Sequence, residues 1–231
     1  MARILFVMTG ARHWTLNDGT RHPTGFWAEE AVTPYRAVTE AGHRVTVASP
    51  GGVVPEPDEA SLSPDAGGGE EGAEEIAAAL REFTELRSPL PLAEADPADY
   101  DAVFYPGGHG PMEDLAADAD SGRLLTATLD AGKPLGLLCH GPAALLAARR
   151  PNGGSPFAGY RLTGFTNEEE RQAGFADKAP WLLEDRLIGL GADFRGGEPW
   201  KPNVVVDRNL FTGQNPASTE PLIAKLLAAL G

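Results

Sequence analysis

The sequence predicts an α/β fold in which a doubly wound, mostly parallel sheet carries helices on both faces. Two observations predict this class. Short apolar runs recur at 3–8, 102–105 and 135–138, and they lack the alternation that a half-exposed strand shows. Helix-forming or amphipathic segments, such as 24–41 and 123–131, stand between those runs. Strands that alternate with helices form βαβ units, so the strands are expected to lie parallel.

The first elements supply one complete βαβ unit. The apolar run Arg3–Met8 predicts a buried strand, and 44–48 predicts the strand that follows it. Between them we expect a helix from about Thr24, whose side chain can cap it, to Ala41, after which Gly42 ends it.

The segment 51–72 differs in composition from the rest of the chain. It is rich in Gly, Pro, Asp and Glu and has almost no large apolar residue, which is typical of an exposed insertion. A helix over 74–86 then leads toward the strand 102–105. We therefore predict one domain that spans residues 1–231, with the exposed insertion at about 51–72.

The second half continues the alternation and ends in a strand pair and a helix. The elements predicted there are a helix at 123–131, a strand at 135–138, a helix that contains 143–148, a strand at 160–163, a helix at 181–190, paired strands at 204–206 and 210–212, and a last helix that Asn215 caps.

The chain turns sharply at its only cysteine, Cys139, where the strand 135–138 ends. Proline is tolerated only in the first turn of a helix, so Pro142 requires the next helix to begin within about one turn of Cys139. The positive end of a helix favours a thiolate. We therefore predict a nucleophilic Cys139 with a lowered pKa on a strand–turn–helix elbow. The alternative is a buried, inert cysteine.

A glutamate on the first helix is a second candidate for chemistry. Glu30 falls beside the apolar stripe of this helix, so its carboxylate is pushed toward the core. Pro34 has no N–H for the carbonyl of Glu30, so we expect the helix to open or bend there. A buried carboxylate at a helix defect predicts a functional group; a surface glutamate near an ordinary proline kink is the alternative.

Two glycines follow the strand 102–105. Gly107 and Gly108 allow a tight turn and can bring backbone N–H groups close to a ligand, as an oxyanion site requires. A plain turn is the alternative. Ligands of doubly wound sheets bind beyond the carboxyl ends of the strands, and Gly107, Gly108 and Cys139 all follow such ends.

Bulk composition excludes several classes of partner. The formal charge of −14 argues against nucleic acid or an anionic membrane surface, because both require a basic face. One cysteine forms no intrachain disulfide and no cysteine-based metal site, which favours a reducing compartment. Apolar runs stay well below the ~20 residues that span a membrane. We expect a cytoplasmic protein.

Four motifs appear in order along the chain, and together they carry a family resemblance. They are TGFWAEEA at 24–31, PGGHG at 106–110, CHGPA at 139–143 and TGFTNEEE at 163–170, and the pattern ends with TGQNPAS at 212–218. This set resembles the ThiJ/PfpI superfamily, and within it the glyoxalase III and heat-inducible chaperone branch. The resemblance implies the flavodoxin-like fold of class I glutamine amidotransferases.

The resemblance also implies roles for individual residues. Cys139 is expected to be the nucleophile and His140 its partner, with Glu170 orienting His140 and Glu30 acting as acid or base beside the sulfur. A shift of the loop by one residue would instead bring Glu168 or Glu169 to the histidine.

The implied activity is that of a glyoxalase that needs neither glutathione nor any other cofactor or metal. It would convert methylglyoxal, a small 2-oxoaldehyde, to lactate, and the resemblance implies a homodimer. Three alternatives stay open: a cysteine hydrolase or amidase, which needs a longer substrate groove, a protein deglycase, and a holding chaperone, which needs an exposed apolar patch but not Cys139.

Overall fold

The computed structural model describes residues 1–231. Its strands are β1 (Arg3–Val7), β2 (His13–Thr15), β3 (Arg21–Pro23), β4 (Arg44–Ser49), β5 (Leu90–Pro91), β6 (Ala102–Tyr105), β7 (Leu135–Leu138), β8 (Arg161–Leu162), β9 (Asp193–Phe194), β10 (Val204–Asp207) and β11 (Leu210–Gly213).

The α-helices are α1 (Ala28–Glu40), α2 (Pro64–Gly67), α3 (Glu70–Glu82), α4 (Gly110–Glu113), α5 (Ala119–Asp130), α6 (Asn167–Gln172), α7 (Leu183–Gly189) and α8 (Thr219–Ala228). Short 3-10 helices lie at Pro50–Gly52, Glu59–Leu62, Thr84–Arg87, Leu92–Glu94, Pro97–Asp99, Gly141–Ala147 and Pro216–Ser218. No helix combines the length and the apolar character that crossing a membrane requires.

Seven strands form the central sheet, in the order β10-β11-β7-β6-β1-β4-β5. All neighbours pair in parallel except the edge pair β10 and β11, which is antiparallel. The predicted doubly wound, mostly parallel sheet is therefore confirmed. β1, β6 and β7 are buried along nearly their whole length, which explains why their sequences are continuous apolar runs.

The helices pack in two groups around this sheet. In one group α1 contacts both α3 and α8, and in the other the 3-10 helix Gly141–Ala147 contacts both α5 and α7. α1 continues without interruption past Pro34, so the expected opening of the helix does not occur.

The register of the central strands places two turns side by side. Tyr105 at the end of β6 pairs with Leu137 near the end of β7. Because the strands are parallel, Pro106–Gly108 and Cys139 leave the sheet at the same edge. This is the edge at which ligands bind in doubly wound sheets.

Part of the segment 51–72 is less exposed than its composition predicts. Asp58 and Ser61 are buried, and the Asp58 carboxylate accepts a hydrogen bond of 2.7 Å from the hydroxyl of Thr24. Thr24 therefore does not cap α1, which begins after Trp27. A contact between two distant segments overrode the local capping preference of the threonine.

Candidate active site

The sharp turn after β7 places Cys139 at the carboxyl edge of the sheet. Its backbone has φ of 56°, a left-handed conformation that costs a residue with a side chain about 1–3 kcal/mol. The N–H of Cys139 donates to the carbonyl of Gly213, and its carbonyl accepts from the N–H of Phe165, each at 2.9 Å. These contacts hold the strained turn between the sheet and the following loop. The predicted elbow is present, although a 3-10 helix follows it.

The buried imidazole of His140 connects the thiol to a carboxylate. His140 Nδ1 lies 3.4 Å from Cys139 Sγ, and His140 Nε2 lies 2.7 Å from Glu170 Oε2. A carboxylate that accepts from Nε2 keeps the proton on that nitrogen, so Nδ1 presents its lone pair to the thiol. The three groups form one hydrogen-bonded series.

Of the three neighbouring glutamates, only Glu170 contacts His140. Glu168 is exposed and pairs with Arg171. Glu169 is fully buried, but it accepts from the backbone and hydroxyl of Thr166, from the N–H of Trp200 and from the side chain of Asn215. Glu169 therefore connects α6 to two distant loops.

The environment of Glu170 favours its charged form. Burial by itself raises the pKa of this carboxyl, but the charges of His140 and His109 and the hydrogen bonds from both rings outweigh burial and hold the pKa well below its usual range. Burial lowers the pKa of His140, and a charge on His109 lowers it further, against the opposing effect of Glu170. At neutral pH the pair is an ionised carboxylate and a neutral imidazole.

Glu30 lies on the other side of the thiol and is fully buried, as its position on the apolar side of α1 predicts. Its Oε2 accepts from the N–H of Gly107 at 2.8 Å, while its Oε1 has no hydrogen-bond partner. Burial, with a smaller contribution from Glu29, raises the pKa of Glu30 to about 8. The carboxyl is therefore largely protonated at neutral pH and can donate toward the Cys139 sulfur.

The pKa expected for Cys139 was wrong in direction. Burial raises the pKa of the thiol well above its usual value, and the charge of Glu30 raises it further, whereas the N–H of Gly108 lowers it only in part. A helix end favours the thiolate, but the desolvation of the sulfur outweighs that effect. When Glu30 is protonated, its repulsive charge is absent. Glu30 and Cys139 can therefore share one proton and carry a single negative charge between them.

The two glycines take different roles. The N–H of Gly107 donates to Glu30, so it is not free to bind an oxyanion, and the prediction for this residue was wrong. A Cβ at Gly107 would lie 2.7 Å from both Glu30 Oε2 and the Cβ of Cys139, which is why a glycine is required. The N–H groups of Gly108 and His140 donate to no oxygen or nitrogen of the protein. The N–H of Gly108 interacts with the Cys139 sulfur, and the N–H of His140 stays free for an oxyanion.

Sequence reasoning assigned no role to His109, although the residue lies in the PGGHG motif. His109 Nε2 is 2.8 Å from Glu170 Oε1, so one carboxylate serves two histidines. Its position directly after the glycine turn was the available signal. The ligand atoms of His109, His140 and Glu170 lie within 4.8 Å of one another, so these three side chains are the ones that could hold a metal ion.

Cys139 opens onto a cavity of about 270 Å³. Its wall is mostly aromatic and apolar and contains no arginine or lysine. The aromatic residues of the wall besides the histidines are Trp27, Phe165, Phe175 and Trp200. The volume lies below the roughly 300–1,000 Å³ of pockets for drug-sized ligands, so the site suits a small uncharged molecule.

The fold and this geometry define an α/β protein of the nucleophile-elbow class, with a thiol, an imidazole and a carboxylate in series. The chain belongs to the DJ-1/PfpI family, whose profile matches residues 23–229. This confirms the resemblance to the ThiJ/PfpI superfamily.

Named relatives and a solved structure agree with this assignment. Glyoxalase 3 of Candida albicans is 30% identical over an alignment of 237 positions, which covers 99% of this chain and 98% of the relative. The crystal structure of glyoxalase III from Candida albicans matches with a TM-score of 0.82 at 27% identity and covers 99% of this chain and 97% of that one.

Two further relatives carry different names. The protein/nucleic acid deglycase HchA of Pseudomonas aeruginosa is 30% identical, with 95% of this chain and 78% of the relative covered. A bovine glutamine amidotransferase-like class 1 domain-containing protein is 38% identical over 145 residues, which are 62% of this chain and 66% of that protein.

Proposed function

We propose that this chain is a glyoxalase of the glutathione-independent type, which converts methylglyoxal to lactate through a covalent intermediate on Cys139 and without a cofactor. The observation that carries this proposal is the series from Cys139 through His140 to Glu170, which faces a small cavity beside the fully buried carboxyl of Glu30. The full-length likeness to Glyoxalase 3 of Candida albicans supports it.

The first step forms a hemithioacetal. Nδ1 of His140 takes the thiol proton, and the sulfur attacks the aldehyde carbon of methylglyoxal. The carbonyl π electrons move to the oxygen, which faces the N–H group of His140. The charge of Glu170 stabilises the His140 imidazolium until the imidazolium passes the Nδ1 proton to this oxygen.

The second step moves hydrogen between the two carbons. A base takes the proton from the former aldehyde carbon, and an acid protonates the ketone oxygen, so an enediol forms. Glu30, which carries a proton at neutral pH, suits the role of the acid. The enediol then loses its other hydroxyl proton and gains a proton on the second carbon, which leaves a lactoyl thioester on Cys139.

The third step releases the product. His140 removes a proton from water, and the hydroxide attacks the thioester carbonyl. The thiolate leaves and is protonated again, and lactate departs. The three steps convert one methylglyoxal and one water to one lactate and one proton, with no net oxidation or reduction.

The test is lactate production from methylglyoxal in the absence of glutathione, measured for the parent and for Cys139→Ala. We expect the parent to form lactate and the variant to form none above background at an unchanged melting temperature. Absence of lactate from the parent would refute the proposal, and equal activity of the two proteins would remove Cys139 from it.

A deglycase is the second candidate, and the surface next to the cavity favours it. A polar cleft of about 330 Å³ shares His22, Asp58 and Ala60 with the cavity wall, so a longer substrate could extend into it. The probe is a methylglyoxal-treated arginine peptide. A higher kcat/KM for release of the adduct than for free methylglyoxal would favour the deglycase. If the protein is instead a holding chaperone, the Cys139→Ala variant should suppress the aggregation of other proteins as well as the parent does.

We further propose that the protein acts as a homodimer of one domain per chain in the cytoplasm, and that it binds neither nucleic acid nor membranes. The family resemblance supports the dimer, and the charge of −14 and the single cysteine support the rest. Sedimentation equilibrium tests the dimer, and a mass of one chain at micromolar concentration would contradict it.

A further inference from the structure

One carboxylate in this site serves two imidazoles. Glu170 Oε2 lies 2.7 Å from His140 Nε2, and Glu170 Oε1 lies 2.8 Å from His109 Nε2. Both oxygens of an ionised carboxylate accept, so each histidine carries its proton on Nε2. Each ring therefore has a basic lone pair on Nδ1.

The two Nδ1 atoms differ in their surroundings. Nδ1 of His140 faces Cys139 Sγ at 3.4 Å, whereas Nδ1 of His109 has no hydrogen-bond partner in the protein. His109 lines the same cavity as Cys139, and 14% of its side chain is exposed. The free lone pair thus belongs to a ring at the wall of the substrate cavity.

Packing fixes the plane of this ring. Trp14 stacks on His109 with ring centroids 4.5 Å apart and an interplanar angle of 11°, and the His140 ring lies 4.2 Å away. A ring held by stacking and by a hydrogen bond to Glu170 loses little freedom when it receives a proton. Such preorganisation is what a base in a catalytic site requires.

The isomerisation needs a base and an acid at the same moment. Glu30 carries a proton at neutral pH and so supplies the acid, and the lone pair of His140 is directed at the sulfur. We propose that His109 is a second catalytic histidine, whose Nδ1 takes the proton from the former aldehyde carbon of the hemithioacetal and returns it to the neighbouring carbon. This inference rests on the proposed glyoxalase function.

All protons are accounted for in the proposed isomerisation. The electron pair of the broken C–H bond forms the carbon–carbon double bond of the enediol, and the ketone oxygen takes the proton of Glu30. In the return step the other hydroxyl gives its proton back to Glu30, its oxygen becomes the thioester carbonyl, and the second carbon takes the proton from Nδ1 of His109. Glu30 and His109 are both regenerated.

The decisive variant is His109→Gln, because the glutamine amide can still donate to Glu170 but cannot take up a proton. We expect kcat for lactate formation to fall at least about 100-fold. The rate of Cys139 alkylation by iodoacetamide should change less than about twofold, because alkylation needs only the thiolate and His109 does not take the thiol proton. Methylglyoxal should still protect Cys139 from alkylation, since the hemithioacetal forms.

His43→Gln is the matched control. Its ring accepts from the N–H of Ala2 near the start of β1, away from the cavity, so both rates should equal those of the parent. Should His109→Gln fold poorly, His109→Ala with added imidazole replaces it, because free imidazole restores a missing base but not a missing structural contact. We expect imidazole to restore turnover to His109→Ala and to have no effect on His43→Gln.

The outcomes separate this inference from the proposed function. A parent that forms no lactate refutes both. A parent that forms lactate while His109→Gln keeps its kcat refutes only the role of His109. Equal losses of turnover and alkylation, without imidazole rescue of His109→Ala, would show that His109 merely positions Glu170, which also overturns the inference. Loss of turnover in His22→Gln alone would place the base on His22, the third histidine of the cavity wall.

Discussion

Two buried carboxyl groups flank Cys139, and their surroundings are opposite. Glu30 has one donor, the N–H of Gly107, and a second oxygen with no partner. Glu170 has an imidazole N–H on each oxygen. Both are removed from water, but only Glu170 receives enough hydrogen bonds to offset the desolvation of its charge.

This difference separates two chemical roles within one site. The pKa of Glu30 rises to about 8, so it carries a proton to donate, whereas the pKa of Glu170 falls and its charge supports imidazolium. Environments that push two carboxyl pKa values apart distinguish an acid from a stabilising anion. Variants that remove one side of this contrast should have the largest effects on turnover.

The largest effect is expected for Glu170→Gln. An amide offers one acceptor and one donor in place of two acceptors, so one of the two histidines loses its partner and its tautomer. We expect kcat to fall on the order of 1,000-fold, with a slower alkylation of Cys139. The control Glu168→Gln removes an exposed carboxylate and should leave kcat unchanged. Activity that is lost in Glu168→Gln but kept in Glu170→Gln would reverse the assignment.

Glu30→Gln should have the next largest effect on turnover. Glutamine keeps the shape and can accept from Gly107, but it cannot exchange a proton. We expect kcat to fall on the order of 100-fold, while the protein folds as well as the parent. Steady-state kinetics and thermal melting on one preparation test both statements. Retained activity would exclude Glu30 from the proton transfers.

The same variant should change how stability depends on pH. The pKa of Glu30 is about 8 in the folded protein and 4.5 for an unperturbed glutamate, so between these values the folded state binds more protons than the unfolded one. Its contribution to stability therefore declines as pH rises through this window. We expect the melting temperature of Glu30→Gln to exceed that of the parent by a margin that grows from pH 5 to pH 8. A constant margin would contradict the raised pKa.

Glu169→Gln tests a buried carboxylate outside the proposed chemistry. Each of its oxygens accepts from two donors, so the NH2 group of a glutamine at this position would face two donors in place of accepting from them. We expect a loss of about 1–3 kcal/mol in the free energy of unfolding, with kcat within about twofold of the parent. Chemical denaturation measures the free energy of unfolding. A variant that is as stable as the parent but inactive would contradict the structural role of Glu169.

The smallest effect concerns the thiol itself. Burial and Glu30 raise the pKa of Cys139, so the rate of its alkylation by iodoacetamide should still increase above pH 8.5, the approximate value of a free cysteine. In Glu30→Gln the like charge is absent, and the midpoint should move to lower pH. If the pH midpoint of Cys139 alkylation in the parent lies below about 8.5, the lowered thiol pKa that the helix end alone predicts would be correct.

Much of this site was predictable because its signals are local. The apolar run before Cys139 and the proline after it require a strand, a turn and a helix start, which the structure contains. The helical period of residues 24–41 placed Glu30 on the buried side of α1, as observed. Strand and helix alternation predicted a parallel sheet, because strands that helices cover on both faces are continuous apolar runs.

Only the tertiary structure decided the electrostatics. The direction of the Cys139 pKa depends on desolvation and on Glu30, which α1 brings from a distant part of the chain. The partner of the Gly107 N–H and the sharing of Glu170 by His109 and His140 depend on the same packing. Local periodicity determines which face of an element is buried, but burial, charge and hydrogen bonds act between elements, so pKa values and partners follow only once the elements are assembled.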